Sequence, residues 1–263
     1  MTLHTFREGS AAGGLPLVLV HGFPLDHRMW LAAAAALPGD HPVLAVDLPG
    51  TPGHDHPLPA PSIDACADYV ADALADAGVP RAVVVGMSMG GYVALALAER
   101  HPELVAALGL VDTKSTADTP EAHANRLRIA DEAEASGSVA PVRPMASSLL
   151  GETTRSARPA LSEQVAAWIE DQSPEGVAWA QRAMAARPDR TDVLRAFGGP
   201  VAVVVGDQDD LTPLAAAEHM VASAPHARLV VVPHAGHLAA FEQPDAVAAA
   251  LADLTQRADS VRA

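Results

Sequence analysis

Short runs of apolar residues recur along the chain at 15–20, 43–46, 82–85, 104–111, 201–205 and 228–232. Each is bounded by turn residues and too short for a stable helix. Branched side chains without polar alternation mark strands buried on both faces. Between these runs apolar residues return at helical spacing. Ile63, Ala67, Val70, Leu74 and Ala77 fall on one face of a helix that Ser62 caps and Gly78-Val79-Pro80 stops. Residues 28–37 also read as helix. Thr212 is placed to cap a helix with Pro213 at its first position, and a last helix from near Pro244 turns Val247, Leu251 and Leu254 inward. Residues 1–14 predict a short first strand and a Gly-rich turn, and the stretch from Asp47-Leu48-Pro49-Gly50 to Pro61 predicts an irregular loop. Strand alternating with helix argues for an α/β fold, a mostly parallel central sheet covered by helices on both faces.

From Asp112 to about Arg195 the alternation stops. Helical patterns at 121–135, 160–172 and 175–187 follow one another with no convincing strand between them. The expected division is therefore a core of residues 1–111 and 196–263 with residues 112–195 inserted as a helical unit.

The 263 residues suffice for one large domain, and nothing in the composition asks for two. No apolar run is long enough to span a bilayer, and MTLHTFREGS lacks the apolar core of a signal peptide, so a cytoplasmic protein with no membrane partner is expected. A net charge of −15, from 17 basic and 32 acidic residues, repels phosphate and argues against nucleic acid. The single cysteine, Cys66, excludes an internal disulfide and every multi-cysteine metal site; on the inward face of its helix it reads as a small core residue.

The apolar run at 82–85 breaks at Gly86-Met87-Ser88-Met89-Gly90, and a helical pattern begins at once. Glycines two residues either side of Ser88 are what a strained strand-to-helix turn requires, because a Cβ there would strike the neighbouring strand or the turn's own backbone. Ser88 is then exposed above the sheet, beside free N–H groups and the positive end of a helix dipole. A serine so placed is built for nucleophilic attack.

This segment resembles the nucleophile elbow, G-x-S-x-G, of the α/β-hydrolase family, and matching segments run from His21 to Pro244. The resemblance implies the family's fold with a helical cap after the sixth strand, so residues 112–195 are expected to lie as a lid over Ser88. It also implies a serine hydrolase whose triad follows in the order serine, acid, histidine. His237, in Gly236-His237-Leu238 with Glu242-Gln243-Pro244 after it, resembles the family's base motif; His234 lacks the glycine and reads as surface. The family pattern G-x-x-D with a Thr-Pro helix start selects Asp209, with Asp207 and Asp210 as near competitors and Asp112 at the other strand end where some members carry the acid. His21-Gly22-Phe23-Pro24 resembles the oxyanion loop, which assigns the oxyanion hole to the backbone N–H groups of Phe23 and Met89, with His21 as a buttress.

Met87, Met145, Leu149, Trp168, Trp179 and Leu238 are candidates to line a substrate pocket, although packing within the insertion serves each equally well. Asp47 reads as a turn residue bonding backbone, and His54 and His56 around Asp55 as polar loop residues. No metal and no cofactor are expected. The overall pattern is similar to small bacterial esterases and, in general layout, to enol-lactonases, and the resemblance implies hydrolysis of a small carboxylic ester or lactone through an acyl-enzyme. Carbon–carbon bond hydrolysis, perhydrolysis of the haloperoxidase kind, a non-catalytic ligand receptor on the same fold, and assembly into a homo-oligomer are left open.

Overall fold

The computed structural model describes residues 2–9, 14–54 and 57–262. Seven strands form one sheet: β1 (Thr2–Arg7), β2 (Leu17–Val20), β3 (Val43–Asp47), β4 (Ala82–Met87), β5 (Val105–Val111), β6 (Val201–Gly206) and β7 (Ala227–Val232), in the spatial order β1-β3-β2-β4-β5-β6-β7. Only β1 is antiparallel to its neighbour. Strands β2 to β6 are buried at every residue, which is why they read as unbroken apolar runs.

Twelve α-helices complete the described chain. Those of the core are α1 (Leu31–Ala36), α2 (Ile63–Asp76) and α3 (Met89–Arg100), then α10 (Leu214–Ser223), α11 (Ala239–Glu242) and α12 (Pro244–Arg262). Between β5 and β6 lie α4 (Pro120–Ser136), α5 (Met145–Ser148), α6 (Glu152–Ala157), α7 (Pro159–Glu170), α8 (Pro174–Ala185) and α9 (Thr191–Ala196). Helix α1 packs on α12 over one face of the sheet, and α2 packs on α3 over the other. Among the described residues no helix is long and apolar enough to cross a membrane.

Three expectations change. The helical insertion follows the fifth strand of this chain, not a sixth, because the described front of the sheet supplies the single strand β1 where a count of six assumes a hairpin. Helix 28–37 is a 3-10 turn, His27–Trp30, running into α1. Thr212 does not cap α10: its hydroxyl donates to Asp209 Oδ2 at 2.5 Å, and Pro213 takes the cap position with no side-chain bond. A carboxylate draws a hydroxyl donor more strongly than the helix needs an acceptor there. Ser62 does cap α2, accepting from Ala65 N at 2.9 Å. The Gly-rich turn at 10–13 lies outside the described residues.

The strand order places the site. The chain turns one way from β2 to β3 and the other way from β2's far neighbour β4 onward, so the loops after β2 and β4 leave in opposite directions. The crevice at such a reversal, outside the carboxyl ends of the strands, is where open α/β sheets bind ligands. His21–Pro24 follows β2, Ser88 follows β4, Asp112 follows β5, Asp209 follows β6 and His237 follows β7, all at that same edge.

Candidate active site

Ser88 joins β4 to α3 with φ +52° and ψ −113°, a conformation costing a non-glycine residue about 1–3 kcal/mol. The turn is held from several sides. Ser88 N donates to Val111 O at 2.9 Å, and Thr113 Oγ1 donates to Ser88 O at 2.7 Å. A Cβ on Gly86 would overlap the Gly90 carbonyl, and one on Gly90 would overlap the carbonyl of Val20 in β2. The two glycines thus let the turn close on itself and on the next strand.

Ser88 Oγ lies 2.8 Å from His237 Nε2, and His237 Nδ1 lies 2.8 Å from Asp209 Oδ2. A carboxylate only accepts, so Nδ1 carries the proton and Nε2 is free to receive one from the serine. Asp209 is a thoroughly bonded acceptor. Its Oδ1 takes Leu211 N and Thr212 N at 2.9 Å each, and its Oδ2 takes the Thr212 hydroxyl beside the imidazole. Burial pushes this carboxyl up, but its bond to His237 and the His237 charge, with the Thr212 donors, outweigh burial and hold it below the usual range. Burial pushes the His237 imidazole down, yet the Asp209 bond and the charges of Asp209, Asp112 and Glu242 carry it above its ordinary value.

Of the competing carboxylates, Asp207 and Asp210 are exposed. Asp112 is fully buried but faces backbone: it accepts from Gly206 N at 2.9 Å and from Ala239 N at 3.0 Å. Burial and the neighbouring Asp209 raise it to about 7. His234 is exposed, with φ +60°.

The loop after β2 lies against the serine, since a Cβ on Gly22 would stand 3.3 Å from Ser88 Cβ. His21 holds that loop. Its Nε2 accepts from Leu48 N at 3.0 Å while Nδ1 donates to Gly22 O at 3.1 Å, and burial lowers its basicity so that the ring stays neutral. Phe23 and Met89 flank a cleft bounded also by Leu25, Gly50, Gln172, Val177 and Ala180, with free space of about 20 Å³, room for roughly one water. Far larger grooves exist, but one of about 650 Å³ is lined by Gly198, Pro200 and Ala227 at the opposite ends of β6 and β7.

None of the six pocket candidates lines this cleft. Trp179 donates its indole N–H to Pro59 O at 2.7 Å, and Trp168 packs on Phe241 with ring centres 5.0 Å apart, under the Arg28 guanidinium. Met87, Leu149 and Leu238 are core residues, and Met145 is partly buried against them. Gln172, Val177 and Ala180, which do line it, carry no local signal beyond helical spacing. Gly176 marks the contact better: a Cβ there would overlap the carbonyl of Gly50, whose φ is +91°.

Among the described residues one His/Asp set, His4, His27 and Asp47, brings its possible metal-binding atoms within 4.8 Å of one another. The two rings are stacked, 3.5 Å apart and 18° from parallel, and each donates at 2.8 Å to the same Asp47 oxygen. With a nitrogen of each ring already bonded to that oxygen, the set forms a hydrogen-bonded cluster. It extends the turn role expected of Asp47, which also accepts His27 N. Asp55 and His56 lie outside the described residues.

A doubly covered parallel sheet with serine, imidazole and carboxylate hydrogen-bonded in series at its carboxyl edge defines a hydrolase-like class of protein. The chain belongs to the α/β-hydrolase fold family, whose model matches residues 16–244. It is 33% identical to the 2-succinyl-6-hydroxy-2,4-cyclohexadiene-1-carboxylate synthase of Enterobacter sp. (strain 638), over 94% of this chain and 95% of that one. It is 31% identical to a pimeloyl-[acyl-carrier protein] methyl ester esterase of Aromatoleum aromaticum, over 91% and 98%. Among solved structures, a thermophilic esterase from Thermogutta terrifontis superposes with a TM-score of 0.90 at 34% identity, covering 98% of this chain and all of that one.

Proposed function

We propose that the protein hydrolyses small carboxylic esters or lactones through an acyl-enzyme on Ser88, without a cofactor. The observation that carries this reading is the unbroken series of hydrogen bonds from Ser88 Oγ to His237 to Asp209, 2.8 Å at each step. Ser88 Oγ attacks the carbonyl carbon as its proton passes to His237 Nε2. The tetrahedral oxyanion is held by the N–H groups of Phe23 and Met89, and collapse expels the alcohol, which takes the proton from His237. Water then attacks the acyl carbon, yields its proton to the same nitrogen, and the acid leaves as Ser88 is regenerated. Asp209 orients the imidazole and stabilises its charged form. The insertion 112–195 serves as the cap, and the narrow cleft it forms with Phe23 and Met89 favours short acyl groups.

The esterase names of the Aromatoleum and Thermogutta relatives support this chemistry. The synthase name of the Enterobacter relative favours a second reading, in which the same serine and imidazole act on a cyclic carboxylate. A panel of p-nitrophenyl esters of increasing acyl length, with several lactones, separates the two. The expected result is turnover of short esters that falls at least about 10⁴-fold in Ser88→Ala, with fluorophosphonate labelling lost in the same variant. Asp209→Asn loses about 10⁴-fold in kcat through the wrong tautomer, and Asp112→Asn far less. No turnover of any ester or lactone by the wild type would overturn the proposal.

A further inference from the structure

Glu242 is fully buried and 5 residues past His237, yet its hydrogen bonds go to neither the serine nor the imidazole. Its Oε1 accepts Gly236 N at 2.8 Å, from the loop that carries the base. Its Oε2 accepts Gly151 N at 2.8 Å, from the start of α6 in the insertion. One carboxylate therefore ties the two segments together. They also meet backbone to backbone, since a Cβ on Gly236 would overlap Gly151 N and one on Gly151 would stand 2.8 Å from Gly236 N.

The acid loop is held to the same turn of the insertion. Gln208, next to Asp209, accepts Thr153 N on its Oε1 at 2.9 Å and donates from Nε2 to Thr153 Oγ1 at 2.7 Å. Gln208 N in turn donates to Ala235 O at 2.8 Å, which closes the ring between the acid loop and the base loop. Residues 151 and 153 thus grip both loops at once, each within one residue of the group it aligns.

Burying a carboxylate is costly unless its oxygens are well bonded, and here both partners are backbone N–H groups on separate elements. A carboxylate offers an acceptor at both ends. Glutamine in its place has the same shape but one acceptor and one NH2, so one backbone N–H would face a donor.

We propose that Glu242 and Gln208 are positioning residues, a two-point clamp by which the insertion's turn at 151–153 sets His237 against Asp209. The relay is then fully aligned only while this turn is docked. This inference rests on the hydrolase reading above.

The test uses the full chain, p-nitrophenyl acetate and the variants Glu242→Gln and Gln208→Ala. Both are expected to lose about 10- to 100-fold in kcat, the scale of a misplaced catalytic group, with KM within about twofold. Fluorophosphonate labelling of Ser88 slows in parallel. The acid limb of the pH profile separates positioning from general loosening. The charges facing His237 are Asp209, Asp112 and Glu242, so Glu242→Gln moves the limb to lower pH by the lost charge alone, whereas Gln208→Ala removes no charge and moves its limb to lower pH only through a weakened Asp209–His237 bond, as positioning requires.

Gln208, partly exposed, carries the test if Glu242→Gln fails to fold. Variants with lowered thermal stability but wild-type kcat and acid limb would overturn the clamp, leaving the hydrolase reading intact. A wild type that neither turns over esters nor labels would overturn that reading instead.

Discussion

Asp112 and Asp118 stand close in the chain and both bury their carboxylates, yet they are held by opposite means. Asp112, following β5 in the core, accepts two backbone N–H groups, from Gly206 and Ala239, and makes no ion pair with a lysine or arginine among the described residues. Asp118, at the entrance to the insertion, is gripped by Arg187 at 2.7 Å, Arg126 at 2.5 Å and Lys114 at 3.2 Å. Arg187 is itself 2% exposed and lies over the Tyr92 ring of α3, 4.0 Å from its centre. The core satisfies its buried carboxyl with the backbone geometry of the sheet ends. The insertion, lacking strands, satisfies its charge with other side chains, and that network also docks it onto α3.

The comparison breaks if Asp118 proves dispensable. Asp118→Ala leaves the Arg187 guanidinium buried with two carbonyl partners and no counter-charge. The expected loss is about 3 kcal/mol, lowering Tm by roughly 10 °C, which a thermal melt measures. An unchanged Tm would mean that packing of α4 on α8, and not the ionic network, holds the insertion.

The two aspartates should also respond to pH with opposite signs. Burial and Asp209 raise Asp112 to about 7 from its ordinary 3.8, so the unfolded chain ionises first. Its contribution is complete below the ordinary value and is lost as pH rises through about 7. Burial works against ionisation at Asp118 too, but the bonds and charges of Arg187 and Arg126 outweigh it and depress its carboxyl. Its contribution is complete above its ordinary value of 3.8 and is lost as pH falls below that. Melts across pH 4 to 8 are therefore expected to turn the difference between Asp112→Asn and wild type in favour of asparagine as pH rises. The gap between wild type and Asp118→Ala is expected to shrink on acidification below about pH 4. The same sign for both pairs would show that Asp112, too, is held as a charged group.

The same contrast explains what could be read from the chain. At the sheet edge the candidate site is written locally: Gly86 and Gly90 are required by the backbone packed against them, and the residues that follow each strand must converge on one edge. Ser88, Asp209 and His237 could therefore be found by position, and the structure brings them together. What stayed ambiguous there were groups with two available partners. Thr212 looks the same whether its hydroxyl serves a helix or a carboxylate, and Asp112 looks like an acid because it too ends a strand. In the insertion little is local. The helices at 120–136, 159–170 and 174–185 were legible from spacing, but Trp179 finds Pro59 and Gly176 finds Gly50 across more than a hundred residues of chain. No periodicity reports such partners, which is why the pocket candidates and the cleft lining differ.

Position, and not the mere presence of a pair, decides what an ion pair in the insertion contributes. Arg143 meets Glu170 through two nitrogens, a geometry better than most, joining the segment before α5 to the end of α7. Both side chains are about half exposed, 53% and 49%, so water competes for each and salt screens the remainder. Arg143→Ala is expected to leave Tm unchanged within error at physiological salt, the smallest effect among these variants. Melts in low and high salt sharpen the test: any difference from wild type should appear only at low ionic strength. A loss approaching that of Asp118→Ala would mean that the insertion is held by the number of its ion pairs, and burial of Asp118 would no longer be what sets it apart.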